Sequence, residues 1–254
     1  EIFPGESTFV GTRNYSRMVN QRFWTALSNS FWYTVLTILV LVSLPVIFAS
    51  LLNSDTTSNK TFRAMLFIPA LVSVVVAGTI IRLLVSSGPH AVLNTIVQFF
   101  GGQPKNWLLA GHPYAMMLLV FTATWKWTGV NIVYFLAGLQ AIPTELYESA
   151  HIDGANAIQR FFRITIPLLK PTIIFVTTIS VFGGFAMFEE SYILWAGNQS
   201  PNNVGLTMVG YLYQRGFQQG EFGTGSAVGV VLITVVFTIS MLQLTLFGFF
   251  KKED

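Results

Sequence analysis

The chain has no cysteine, which excludes disulfides and thiolate metal sites and says nothing of the compartment. Charge is nearly as scarce. Asp, Glu, Lys and Arg make up 10% of the 254 residues, against roughly 25% in a soluble domain. That is too little to dress a water-facing surface, and it points to an integral membrane protein. The net charge of +3 is small and spread out, so no basic stripe for nucleic acid is present. Motifs for chemistry are missing as well. There is no Gly-Lys pair, hence no Walker A phosphate loop. There is no His-Glu-x-x-His, and His90, His112 and His151 stand alone, so no metal site is expected. No Gly-x-Ser-x-Gly elbow occurs. "GTGSAVG" at 223–229 follows no strand and lacks the dinucleotide spacing; Gly225 and Gly229 read as a small-xxx-small packing pair. An enzyme reading has no support.

What is present is hydrophobic: 52% of residues, with 23 Phe. Five runs reach the roughly 20 residues needed to cross hydrocarbon as a helix, at 23–52, 62–86, 113–141, 168–196 and 225–250. Pro45 lies inside the first run and Pro69 inside the second, where neighbours in a bundle tolerate a kink. The expected fold class is an all-α polytopic membrane bundle. The loops alternate sides. Residues 1–22, 87–112 and 197–224 share one; residues 53–61, 142–167 and the terminal "KKED" share the other. The second group is shorter and so more densely basic, which places it in the cytoplasm. Residues 1–22 are then extracytoplasmic. A polar outer start without its own signal leads us to expect a further helix before Glu1.

One polar stretch interrupts this pattern: "ELYESAHIDGANAIQRFFRITIPLLKP" at 145–171. Pro143 suits the first turn of a helix, with Glu145 and Glu148 near its positive end. Gly154 suits a left-handed C′ position. Asn156 with Gln159 reads as a fresh N-cap, and Pro167 as the end of the second helix. Two short helices meeting at Gly154 are expected. Small residues surround the turn: Ser149, Ala150, Ala155 and Ala157. On these grounds two readings stand equal, an interfacial hairpin lying on headgroups or a docking knob for a partner.

Polar groups also fall within the runs. Lys126 is near the middle of 113–141, where a charge costs about 2.5–3.5 kcal/mol, so it either faces a cavity or partner or snorkels from an offset span. Thr124, Trp127, Asn131 and Tyr134 share one helical face. That mixture of flat aromatic surface with amide and hydroxyl groups suits a sugar, although each aromatic alone reads better as packing between helices. Glu189 and Glu190 follow Gly183-Gly184, which either unwind the helix locally or leave the acids near the outer boundary. Tyr192 and Trp195 read as interfacial anchors.

The spacing Glu148-Ser149-Ala150, three residues, Gly154, nine residues, Ile164-Thr165-Ile166-Pro167 resembles the EAA loop of permeases from binding-protein-dependent ABC importers. Ser149 stands for Ala and Ile166 for Leu; the spacing is kept. "FLAGLQAIPTELYESAHIDGA", "FVGTRNYSRMVNQRFWTALSNSFWYT" and "FEESYILWAGNQSPNNVGLTMVGYLYQRGFQQGEFGTGSAVGVVL" are similar to carbohydrate permeases of the maltose-permease class, nearest the lactose and arabinose-oligosaccharide types. The resemblance implies a single transmembrane domain over 1–254 with the type I importer permease fold, six helices in the full protein and five here. It implies that 142–167 is the coupling loop, with Glu148, Ser149, Ala150, Gly154, Ala155, Ile164 and Pro167 facing a cytoplasmic ATPase. No cofactor is then bound by this chain, because ATP belongs to the ATPase. The implied partners are a second permease, two ATPase copies, an extracytoplasmic sugar-binding protein and the lipid bilayer, with no nucleic acid. Candidates for the substrate pathway are Lys126, Trp127, Asn131, Tyr134 and Glu189. The rival readings are a stand-alone ion-coupled transporter or channel using Lys126, Glu189 and Glu190, and a structural scaffold.

Overall fold

Without water to satisfy it, backbone in hydrocarbon must close its own hydrogen bonds, and helices do so within one segment. The computed structural model describes residues 9–197 and 200–248 and shows helices with no strand among them. The first eight residues, Asn198, Gln199, the last two residues of the expected fifth span and the "KKED" tail lie outside the described residues.

A short α1 (Arg13–Met18) leads to α2 (Gln21–Leu51), which starts where the Asn20 side chain accepts from the Phe23 N–H at 3.1 Å. At about 1.5 Å per residue α2 is long enough to cross roughly 30 Å of hydrocarbon, and Pro45 is buried within it. Next come α3 (Thr57–Leu71) and α4 (Val74–Leu84), then α5 (Val92–Phe99) in the following loop, and α6 (Tyr114–Gln140). The polar stretch forms α7 (Thr144–Ile152), α8 (Ala157–Arg160), a π-turn at Phe161–Thr165 and α9 (Ile166–Leu168). After it run α10 (Lys170–Ala186), α11 (Glu189–Leu194), a 3₁₀ turn at Pro201–Asn203, α12 (Met208–Tyr213), a π-turn at Gln214–Gln218 and α13 (Phe222–Leu246).

The first and last expected spans are single apolar helices, α2 and α13. The second is not. Over 62–86 the chain turns by 98° between α3 and α4. Val72 and Ser73 are extended, and the Ser73 Oγ caps α4 by accepting from the Val76 N–H at 3.3 Å. The fourth also differs: α9 meets α10 at 67°, and α10 stops at Ala186 before an extended Met187. The third, α6, is the longest after α2, and its centre is the most polar. It is also the most enclosed: α2, α3, α4 and α10 all pack on it.

That enclosure depends on Gly129. A Cβ there would lie 2.1 Å from the Leu66 carbonyl oxygen and 2.7 Å from the Phe67 Cα, so α3 and α6 touch backbone to backbone. The core follows α2 from end to end. Met18, Phe23, Leu206, Met208, Tyr211 and Val228 cluster at its start, and Tyr33, Ile81, Leu119 and Trp195 beyond them. Val46, Ala49, Phe135, Leu139 and Leu169 cluster at its far end, beside Tyr147 and Phe161. The loops after residue 200 and the polar stretch therefore sit at opposite ends of the bundle. At the end away from the polar stretch Asn94 ties the loop over 86–107. Its Nδ2 donates to the Ser86, Gly88 and Lys105 carbonyls, and its Oδ1 accepts from the Lys105 N–H and Trp107 Nε1.

Candidate functional site

At one end stands the hairpin of α7 and α8. Helix α7 leaves its last carbonyls to be capped, and Gly154 supplies the cap at φ +78°. The Gly154 N–H donates to the His151 carbonyl at 3.0 Å and the Ala155 N–H to the Ala150 carbonyl at 2.9 Å, the paired bonds of a Schellman motif. Then α8 opens on a complete capping box: Asn156 Oδ1 accepts from the Gln159 N–H and Gln159 Oε1 from the Asn156 N–H, each at 2.9 Å. The two expected helices around Gly154 are present. Pro143 precedes the first helical residue rather than occupying it. Pro167 does not end the second helix, because the π-turn carries the helical path past it to Leu168 and the bend falls at Leu169.

The hairpin has two unlike sides. Inward, the Tyr147 hydroxyl bonds the Thr165 Oγ1 at 2.9 Å, and Tyr147, Phe161 and Ile166 pack on the far-end core. Outward, Glu145, Glu148, Ser149, Asp153 and Gly154 are exposed, and Ile152 and Ile158 are 85% and 70% exposed on either side of the turn. Ala150, Ala155 and Ile164 are half-buried and Pro167 is exposed. The tip is thus polar and carries two bare isoleucines.

Midway along the bundle lies a cavity of about 480 Å³, within the range of small-molecule sites. From α6 it is lined by Trp127, Asn131 and Tyr134, from α2 by Tyr33 and Thr37, from α10 by Ser180 and Gly183, and beyond the α10 break by Phe188, Glu189 and Glu190. Asn131 donates from Nδ2 to the Leu41 carbonyl at 2.9 Å, which fixes its amide. Tyr134 meets Phe175 edge-on at 5.4 Å, and Trp127 is 41% exposed. Four candidates, Trp127, Asn131, Tyr134 and Glu189, thus share one wall or another of the same space. Lys126 is apart from them. It is buried, and its ammonium donates to the Val72 carbonyl with the Trp127 ring 5.4 Å away. The break between α3 and α4 frees that carbonyl, and Lys126 satisfies it. No ion pair joins Lys126 to Glu189 or Glu190 among the described residues.

Gly183-Gly184 do not unwind α10; the break comes at Met187 and Phe188, and Gly184 packs against Thr34. Trp195 is no interfacial anchor: it is buried, with Nε1 donating to the Leu108 carbonyl at 2.8 Å. Tyr33, Thr37 and Ser180 line the cavity beyond the expected residues. Tyr33 and Thr37, four apart in an apolar helix, mark an inward polar face that was readable.

Residues 62–248 match the family described as binding-protein-dependent transport system inner membrane component. The chain is similar to the arabinooligosaccharides transport system permease protein AraP of Halalkalibacterium halodurans, 53% identical over all of this chain and 80% of that protein. It is also similar to the lactose transport system permease protein LacF of Rhizobium radiobacter, 34% identical over 92% of this chain and 80% of that protein. In fold it matches a chain of a bacterial ABC transporter that imports the acidic polysaccharide alginate. The TM-score is 0.86 at 21% identity, over 96% of this chain and 85% of that one.

Proposed function

The chain belongs to the binding-protein-dependent transport system inner membrane component family, and from that premise we propose that it is one permease subunit of an ATP-driven importer of oligosaccharides. It spans the inner membrane several times. It works with a second permease, two copies of a cytoplasmic ATPase and an extracytoplasmic sugar-binding protein. Nucleotide is bound and hydrolysed by the ATPase polypeptide. The work of this chain is alternating access: exposing the cavity first to one side, then to the other.

One observation carries the reading. The hairpin is closed and bolted on its inner side by Tyr147 and bare on its outer side. A floppy loop would absorb motion of a docked ATPase. This hairpin begins just past the end of α6, at Thr144, and its return limb packs on the same core. Movement at Ile152 to Ile158 is therefore delivered to the helix that carries Trp127, Asn131 and Tyr134. In the cavity the Trp127 ring offers a flat face to sugar C–H groups, while Asn131, Ser180, Tyr33 and Glu189 offer partners for hydroxyls.

The test is reconstitution with the ATPase, the second permease and the binding protein in liposomes. Uptake of an oligosaccharide should require ATP and the binding protein together. Uptake by this chain alone, driven by an ion gradient, would overturn the proposal.

A further inference from the structure

Helix α12 and the π-turn after it carry two kinds of aromatic residue. Tyr211 is buried, and its hydroxyl donates to the Met18 carbonyl at 2.9 Å. On another face Val209 lines the cavity, and Tyr213 and Phe217 follow at successive intervals of four. Across from them Phe188 and Tyr192 stand one turn apart at the start of α11. These four rings touch in order. Phe188 lies 5.1 Å from Tyr192 and 5.1 Å from Tyr213, Tyr192 lies 5.6 Å from Tyr213, and Tyr213 stacks on Phe217 at 5.6 Å and 24°.

The row has direction. Its inner end, Phe188, lines the cavity. Away from the cavity Phe217 is 64% exposed, beside the exposed amides of Gln218 and Gln219, with its ring meeting Phe222 edge-on at 5.7 Å at the start of α13. Phe188, Tyr192 and Tyr213 are half-buried, and none of the four rings belongs to a core cluster. Rings that serve packing on these elements are different: Tyr211 and Trp195 are closed in, with their polar atoms on backbone carbonyls. The π-turn matters here, since such turns re-aim a helix face and recur at functional sites.

We propose that Phe217, Tyr213, Tyr192 and Phe188 form a stacking path that leads a neutral oligosaccharide from the outer mouth into the cavity. The proposal rests on the importer reading above. A sugar ring has an apolar C–H face that an aromatic ring accepts, and hydroxyls at its rim that the Tyr192 and Tyr213 hydroxyls and the two glutamines can bond. Rings 5 to 6 Å apart offer overlapping sites, so each step is short. Each contact is weak, as passage through several sites requires. Glu189, at the inner end beside Phe188, disfavours an acidic sugar.

The experiment uses the complete reconstituted importer and a labelled arabino-oligosaccharide. Tyr213→Leu and Phe217→Leu keep apolar bulk and lose the ring; Tyr213→Phe and Phe217→Tyr keep the ring. Each Leu variant should raise the KM for uptake about fivefold, and the ring-keeping variants should stay near the wild type. Wild-type KM in both Leu variants overturns the path, as does equal damage from Leu and ring-keeping variants, which marks mere packing. Recovery of the assembled complex is the folding control. If a Leu variant does not assemble, Phe217→Trp replaces it: its added emission should shift when the oligosaccharide meets the complex, and an unchanged spectrum overturns the path. A wild-type complex that imports no oligosaccharide overturns the importer reading and the path with it, so the wild-type control separates the two failures.

Discussion

Replacing Gly154 tests the hairpin most directly, because the structure isolates one physical cause. Gly154 has φ +78°, and a Cβ built on it meets nothing within 4 Å. Room is therefore not the constraint within this chain; backbone conformation is. An L-residue with a Cβ pays about 1–2 kcal/mol in the left-handed region. Asn pays less, because its short side chain bonds locally, and a β-branched residue pays more. At about 1.4 kcal/mol per decade, Gly154→Ala lowers the population of the closed turn by at most roughly 5- to 30-fold. An ATPase that binds only the closed turn loses affinity by up to that factor. The assay is the binding of purified ATPase to the permease pair in detergent, with coupled uptake measured in parallel. The expected order is Gly154, then Asn, then Ala, then Val. An order set by side-chain size instead, with Ala close to wild type and Asn well below it, would refute the conformational argument. It would show that crowding against the docked partner is what requires glycine.

Three further outcomes follow from the geometry. Asn94→Ala leaves the Lys105 N–H and the Trp107 Nε1–H without a partner, so at about 1–3 kcal/mol each it should cost up to roughly 2–6 kcal/mol; hydrogen exchange over 86–107 should rise sharply, and unchanged protection would count against the knot. Lys126→Met leaves the Val72 carbonyl bare at the α3–α4 break, at about 1–3 kcal/mol. Hydrogen exchange over residues 71–77 reports it: protection there should fall when Lys126 is replaced, and unchanged protection would count against the contact. Gly129→Ala drives a Cβ into the Leu66 backbone and should cost about 1–3 kcal/mol or more, whereas Gly183→Ala, inside α10, meets nothing within 4 Å and should hold or slightly raise thermal stability. Equal melting of the two variants would refute the backbone contact.

The parts legible from the sequence are those whose causes are local. Gly154, Asn156 and Gln159 settle the hairpin within a few residues of one another, and the capping signals name each bond that forms. The α6 face of Trp127, Asn131 and Tyr134 follows from helical period alone. The breaks are another matter. "ALVSVVVAG" reads as one apolar run, with Ser73 too slight a signal for a 98° turn. The group that makes the turn tolerable, Lys126, lies 54 residues away. Lys126 itself invites an acidic partner on paper, and the structure gives it a carbonyl instead. Trp195 fails for a similar reason: an aromatic near a span end satisfies the rule for interfacial anchors, and only the packing of Leu108 against it shows that it is enclosed.

The two-sided hairpin has a consequence for how such a machine can be assembled from parts. Tyr147, Phe161 and Ile166 answer to this chain's own core, whereas Ile152, Asp153 and Ile158 are exposed and belong to no core cluster. If the proposed docking role holds, the outward residues can be changed to suit another motor without disturbing the wall that lines the cavity. Exchanging them between related permeases should move a bundle from one engine to another while the sugar it carries stays the same.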